Sequence, residues 1–299
     1  MSEILTANQI WPRVRAQSKE AQERGALVPL ETSVSTVEDE GVPFTVRVAQ
    51  NLKRKQQASS NPGSLPAADP FAPPYEQDLY VGPVSQTHVA LLNKFCVISN
   101  HTLLVTREYA GQTELLDASD FHALARALAS VDGLVFYNGG EQAGASQPHK
   151  HLQLVPLPLA PDQLQVPLVP WLTECKAGPD GVTHNPALPF PHAVTDMPGD
   201  CLRTPDKAAR QLQERYLALW SALNYRLQGN HQPVPYNLLA TRDWLWLVPR
   251  SHETHEGLAV NGLGYAGALM VRDEAQFETL RETGPMRVLA AVAGPRGDA

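Results

Sequence analysis

Cysteine is scarce. Cys96, Cys175 and Cys201 are the only three in 299 residues, odd in number and far apart. That excludes a disulfide framework and a Cys-x-x-Cys metal site, and a reducing cytoplasm is the expected compartment. No apolar run is long enough to cross a bilayer. The opening MSEILTANQIWPRVR carries Glu3 and lacks a signal-type apolar stretch, so no membrane association is expected. Basic residues are in deficit, 24 Lys and Arg against 31 Asp and Glu, for a net charge of -7. A general nucleic-acid surface needs a basic field, so nucleic acid is not an expected partner. A small phosphorylated ligand needs only a local set of donors. With 43% hydrophobic and 18% charged residues the chain is globular, long enough for one large domain or two smaller ones.

Proline is plentiful and cuts the chain into readable segments. Residues 1–30 hold a short amphipathic stretch with Leu5, Ile10, Trp11 and Val14 in helical spacing. Residues 42–52 alternate as a strand. LKRKQQ then leads into a Pro-rich segment, and the stretch from about Gln56 to Pro74 is expected to be a mobile loop. Residues 87–107 predict two strands with a turn at Ser99 and Asn100. Residues 119–131 predict a helix capped by Asp117 or Ser119, with Phe121, Leu124, Ala125, Leu128 and Val131 on one face. GLVFYN is a short buried strand, followed by the loop GGEQAGASQP and the strand HKHLQLVPL. Residues 156–204 show little periodicity and predict an irregular excursion. Thr204, Pro205 and Gly229 bracket a helix over 205–228 with a stripe of Ala208, Leu212, Tyr216, Leu219, Leu223 and Leu227. PYNLLATRDWLWLVPR predicts two strands around Arg242 and Asp243, GLGYAGALMVR another strand, and Asp273 the cap of a final short helix. LLNKFCVISNHTLLVTREY echoes YNLLATRDWLWLVPRSHE, which admits either two pseudo-repeated halves or two unrelated hairpins.

The chemistry concentrates in NGGEQAGASQPHKHLQL, Asn138 to Leu154. Side chains alternate along a strand, so His149, His151 and Gln153 share one face, while Lys150, Leu152 and Leu154 share the other. Two imidazoles and an amide thus stand beside a glycine-rich loop whose backbone amides, with Ser146 and Gln147, suit an anion. Three readings stand side by side. The histidines chelate a metal, for which a third ligand must come from afar because Gln153 is a poor one. They are structural, bonded to carbonyls at a sheet edge. Or one is a nucleophile on phosphorus, for which neutral imidazole is competent.

His149-Lys150-His151-Leu152-Gln153 resembles the His-x-His-x-Gln signature of the transferase branch of the histidine-triad (HIT) superfamily. ALLNKF, LLVTRE, FYNGG, GASQPHKHLQ, YNLL, TR-x-W, VPRS and GYAGALMV together resemble diadenosine tetraphosphate (Ap4A) phosphorylases, also called ATP adenylyltransferases, from about Lys53 to about residue 290. The resemblance implies an α+β fold, a HIT-like antiparallel sheet with packed helices. It implies residues 1–160 as an N-terminal catalytic region, 161–204 as an irregular Pro-rich connection, and 205–299 as a C-terminal region completing the same sheet. It further implies phosphorolysis of Ap4A by inorganic phosphate to ATP and ADP through an adenylyl-histidine on His151.

The same resemblance implies His149 and Gln153 as catalytic partners, with Lys53, Asn93, Lys94, Asn138, Gly144, Ala145, Ser146, Gln147, Asn261, Gly262 and Met270 near the nucleotide. Where some relatives have Ser-Ser-Gln-Asp, this chain has Ala145-Ser146-Gln147-Pro148, which removes one hydroxyl and one carboxylate. Gln153 stands where related hydrolases carry a third His. An amide holds a phosphoryl oxygen but does not titrate, so it cannot help activate water. No metal site and no cofactor is expected, beyond Mg²⁺ arriving with the polyphosphate. The expected partners are Ap4A, ATP, ADP and phosphate. The competing functions are a nucleotidyl hydrolase, a sugar-1-phosphate nucleotidyltransferase and a silent nucleotide sensor. The remaining histidines, His88, His101 and His122 among them, are not expected at the site.

Overall fold

In the computed structural model, which describes residues 3–49, 69–161, 164–173, 176–177, 181–199 and 201–298, the alternating apolar runs become strands of one large sheet. Lys53 and the stretch 56–68 lie outside the described residues. The chain begins with α1 (Ala7–Glu23), where the Gln9 side chain reaches back to the Thr6 amide at 2.8 Å. A hairpin of β1 (Thr32–Asp39) and β2 (Val42–Ala49) follows, then β3 (Tyr80–Pro83), β4 (His88–Leu92) and β5 (Thr102–Thr106). Helix α2 (Ala118–Ser130) is capped by Asp117, whose side chain accepts from the Ser119 and Asp120 amides. Strands β6 (Gly133–Gly139) and β7 (His151–Pro156) flank the glycine-rich loop.

The segment expected as irregular carries α3 (Val169–Thr173), β8 (Lys176–Ala177), β9 (Val182–His184) and β10 (Ala193–Asp196). The physical reason is the free edge of the sheet: β10 pairs with the strand beyond it and buries Ala193 and Val194, yet strands this short show no period. Helix α4 (Pro205–Ala222) stops short of the expected residue 228 because Asn224 turns left-handed at φ 64. Strands β11 (Tyr236–Ala240) and β12 (Trp244–Pro249) match the expected hairpin, and β13 (Thr254–His255) and β14 (Leu258–Ala259) form a small ribbon. GLGYAGALMVR, expected as one strand, divides into α5 (Gly262–Tyr265), capped by Asn261, and β15 (Ala268–Val271). The run is apolar on every side, so its period does not separate helix from strand. Asp273 caps α6 (Glu274–Thr283), but α7 (Pro285–Val292) follows it.

Among the described residues ten strands form one sheet in the order β3-β4-β5-β7-β6-β11-β12-β10-β9-β8, and β1-β2-β15 form a second. Both faces of the large sheet are covered. On one, Leu152, Leu154, Tyr137, Leu238 and Leu247 pack with Phe121 and Leu124 of α2 and Leu212 and Leu219 of α4. On the other, Phe136, Val155, Leu239, Trp246 and Val248 pack with Phe44 of β2, Tyr265 of α5 and Leu289 of α7. Two covered faces explain why strands such as WLWLVP read as unbroken apolar runs.

The order also shows a repeat. Strands β4-β5-β7-β6 on one side of the centre mirror β9-β10-β12-β11 on the other, and each half is strand, strand, helix, strand, strand in sequence. The centre is the antiparallel β6–β11 pair, where Asn138 faces Asn237. The fold therefore equates β11–β12 with β6–β7. The echo in the sequence aligned β11–β12 with the β4–β5 hairpin instead, and that alignment is corrected: both hairpins share the vocabulary of buried strands.

Candidate active site

Strand alternation delivers His151 and Gln153 to the face shared with β2, β15 and α5. The start of β7 is fixed by Gln112, whose Oε1 accepts from the His151 amide at 2.8 Å and whose Nε2 donates to the carbonyls of Asn138 and His151. The buried His151 ring donates through Nδ1 to the His149 carbonyl at 2.8 Å, which leaves the lone pair on Nε2. Burial pulls this imidazole down to about 4, against the hydrogen bond to that carbonyl, so the ring is neutral at neutral pH. It lines a cavity of about 410 Å³ with Phe71, Lys94, Ser146, Gln147 and Gln153.

Gln153 is oriented by a residue that the sequence did not place at the site. His101 Nε2 lies 3.0 Å from Gln153 Oε1, and His101 Nδ1 lies 3.2 Å from Asn93 Nδ2. The amide oxygen only accepts and the Asn93 nitrogen only donates, so one tautomer satisfies both: Nε2–H donates to Gln153, and Nδ1 accepts from Asn93. Burial holds His101 at about 4, neutral like His151. The Gln153 NH₂ is thereby left to donate toward the cavity. Strand pairing is the cause, since Leu103 stands opposite Gln153. The signal in the sequence was the pairing of HTLLVT with HLQLV, which no local period reveals.

His149 is buried beside the start of β7. Its Nδ1 is 2.6 Å from Asp69 Oδ2, and its Nε2 is 2.8 Å from the Thr106 carbonyl. The described end of the Pro-rich segment thus lies against both histidines, with the Phe71 ring 4.9 Å from His151. Asp69 and Phe71 were missed because a loop has no period to read. On the opposite face Lys150, expected among core aliphatics, donates to Asp120 Oδ2 at 2.7 Å and to the Leu115 carbonyl, while His88 lies 3.0 Å from Asp120 Oδ1. Burial opposes the Asp120 charge, but His88 and Lys150 outweigh it and hold the carboxyl below its usual range. Removing one partner from such a buried group costs on the order of 3–5 kcal/mol, so this triad anchors β7 to α2.

A second cavity, about 280 Å³, meets the first at Asn93, Phe95, Ser146 and Gln153. Gly144, Asn261 and Met270 line it, as does Arg47 of β2, which also donates to the Leu159 carbonyl at 2.7 Å. Met270 is an exposed residue and not core filling. Asn138 Oδ1 accepts from Asn237 Nδ2 and the Gly262 amide, both at 2.9 Å, so its side chain ties the glycine-rich loop region to α5. The loop spends the Gly144 and Ala145 amides on the carbonyls of Glu141 and Gly140. The Ala145 amide, expected to face phosphate, is therefore already bonded within the loop, while Ser146 and Gln147 line the first cavity. Ala145 opens on a neighbouring cleft with Tyr109 and Glu141. Lys94 lines the first cavity while paired with Glu76 at 2.9 Å. Among the described residues no cluster of three ligating side chains is placed to hold a metal, and no helix is long and apolar enough to cross a membrane.

A buried neutral histidine with one free nitrogen, a non-titrating amide beside it and an adjoining glycine-rich loop, all on a HIT-like sheet, define a nucleotidyltransferase. Family comparison gives the narrower placement: the chain belongs to the Ap4A phosphorylase family. Residues 1–174 match the Ap4A phosphorylase N-terminal domain, and residues 186–295 match the ATP adenylyltransferase C-terminal domain. Diadenosine 5',5'''-P1,P4-tetraphosphate phosphorylase 2 of Saccharomyces cerevisiae is 32% identical over 263 residues, 80% of this chain and 79% of that protein. Protein APA1 of the same organism is 27% identical over 286 residues, 88% and 87% of the two chains. The crystal structure of yeast Ap4A phosphorylase Apa2 superposes with a TM-score of 0.80 at 24% identity, over 99% of this chain and 97% of that one. A structure of Apa2 in complex with Ap4A gives 0.75 at 24% identity, over 98% and 100%.

Proposed function

We propose that this chain phosphorolyses Ap4A to ATP and ADP through an adenylyl group carried on His151 Nε2. The observation that carries the reading is the Nδ1 bond to the His149 carbonyl, which fixes the tautomer that leaves Nε2 nucleophilic. In the first half-reaction Nε2 attacks the α-phosphorus, the N–P bond forms, the P–O bond to the polyphosphate breaks, and ATP leaves. In the second, a phosphate oxygen attacks the same phosphorus, the N–P bond breaks, and ADP leaves with the imidazole restored. The Gln153 NH₂ donates to a non-bridging phosphoryl oxygen in both steps. Because the Gln153 carbonyl is occupied by His101, neither group is free to take a proton from water, which favours phosphate as acceptor.

His149, with both ring nitrogens bonded, holds the β7 entry and the Asp69–Phe71 segment and does not attack. Asn93, Asn138 and Asn261 line the cavities, with the Gly262 amide holding Asn138, while Lys94, Ser146, Gln147 and Met270 face the nucleotide. No step needs a protein-bound metal; a Mg²⁺ that arrives with the substrate is held by phosphate oxygens. The buried free thiol of Cys96 fits a reducing, cytoplasmic setting.

Two measurements on one preparation test this. Ap4A supplied with phosphate yields ATP and ADP. Ap4A supplied without phosphate, quenched and digested, yields an acid-labile adenylyl group that maps to His151. AMP plus ATP without phosphate identifies a hydrolase, binding without turnover identifies a sensor, and an adduct on His149 refutes the assignment of the nucleophile.

A further inference from the structure

Arg250 is the largest charged side chain in the interior, with 1% of its surface exposed. Its Nε donates to the Val292 carbonyl, its Nη1 to Asn237 Oδ1 and the Ala143 carbonyl, and its Nη2 to the His252 and Val260 carbonyls. Every one of these acceptors is neutral. The Tyr265 ring covers one side, 5.5 Å from the guanidinium carbon. Glu253, the carboxylate whose field reaches it, is an exposed residue lining the second cavity. Burying a cation is costly unless an anion compensates it, and among the described residues no anion is in contact with this one.

The position of this charge is not random. Ala143 precedes Gly144, and Val260 precedes Asn261, so Arg250 grips from beneath the two segments that floor the second cavity. It does so partly through Asn237, which bonds both Asn138 and the Ala143 carbonyl at 2.9 Å.

The repeat of the fold explains where these struts come from. Asn138 faces Asn237 at the centre of the β6–β11 pair, so the two are equivalent across the pseudo-two-fold axis. Two residues back along each strand, Phe136 pairs with Gln153, and the Pro235 carbonyl accepts from the Arg250 amide at 2.7 Å. Arg250 is thus the counterpart of Gln153. The counterparts of His149 and His151 are Trp246 and Val248, both in the apolar core. The second half has no histidine at these equivalent positions, and the residues that stand where the first half has its asparagine and glutamine, Asn237 and Arg250, support the site of the first half.

We infer that Arg250 is a positioning residue that holds the glycine-rich loop and the Asn261 segment from below and supplies a positive charge, paired with no anion in contact, that draws the substrate's polyphosphate into the cavity. This rests on the nucleotide-binding reading above.

The test is the binding of AMP, ADP and ATP to the full-length protein, wild type against Arg250→Met and Arg250→Lys. In wild type the affinity should rise with each added phosphate. Arg250→Met should flatten that rise, losing roughly tenfold more for ATP than for AMP, as removal of one poorly screened charge requires. Arg250→Lys, which keeps the charge but not the fork of donors, should preserve the rise while weakening all three ligands. Equal weakening of all three by Arg250→Met would show a purely structural strut and overturn the inference. If Arg250→Met does not fold, Asn237→Asp places a carboxylate against the guanidinium and should flatten the rise in the same way; an unchanged rise would again overturn it. A wild type that binds none of the three nucleotides would instead refute the nucleotide-binding reading itself.

Discussion

At the scale of single residues, the proposed site depends on one ring tautomer and one amide orientation, each fixed by a neighbouring group. His151 is held by a carbonyl two residues behind it, and Gln153 by His101 across the β5–β7 pair. If the His101 bond is what turns the amide NH₂ toward the cavity, His101→Phe should free Gln153 to present either end. We expect kcat to fall about tenfold with KM little changed, the pattern of a lost transition-state contact. Steady-state kinetics on Ap4A checks it, and a loss confined to KM would show that His101 shapes the cavity and does not orient the amide. His149, His151 and Gln153 were legible in the sequence because alternation along one strand is a local rule. His101 and Asp69 were not, because their partners lie 52 and 80 residues away and only strand pairing and loop placement bring them together.

At the scale of elements, the glycine-rich loop shows how closely backbone segments meet. Gly144 has φ +90, and a Cβ there would stand 2.7 Å from Asn261 Cβ and 2.9 Å from its Cα. Both strain and collision therefore oppose any side chain. Gly229 has φ +66 with nothing within 4 Å, so it carries the strain alone. Gly229→Ala should cost about 1 kcal/mol of stability and leave turnover unchanged. Gly144→Ala should cost more and raise KM for Ap4A about tenfold or beyond, because Asn261 and the loop must separate. Comparable effects of the two variants on KM would remove the collision from the explanation. The caps at Asp117 and Asp273 and the hairpin at Arg242–Asp243 were readable, since each is local chemistry. Strand β1 was not: it is largely exposed and polar, and becomes a strand by pairing with β2. Strands β8, β9 and β10 likewise exist because β12 offers an edge.

At the scale of the whole molecule, a sheet covered on both faces buries its histidines, and this sets a pH dependence. His101, His151 and His192 are each pulled from 6.5 to about 4, in every case chiefly by burial. The unfolded chain takes up these protons near pH 6.5 and the folded chain only near pH 4, so the unfolded state binds more protons between those limits. Stability is therefore fully present above pH 6.5 and is lost as pH falls through that window, by about 2 kcal/mol per group at pH 5. Three such losses are large against a total of roughly 5–15 kcal/mol. Asp120 acts in a different window: its carboxyl is held below the usual value, so its contribution persists above the unfolded carboxylate value and is lost only in stronger acid. The urea midpoint measured at pH 7, 6 and 5 should thus fall steadily. A constant midpoint would mean that the three imidazoles gain protons in the folded state as readily as in the unfolded one. Catalysis should part from stability over the same range. If His151 is the nucleophile as proposed, it stays neutral until about pH 4, so its protonation in the free enzyme should not lower kcat/KM between pH 7 and 5 while the protein remains folded, even as its reserve of stability shrinks.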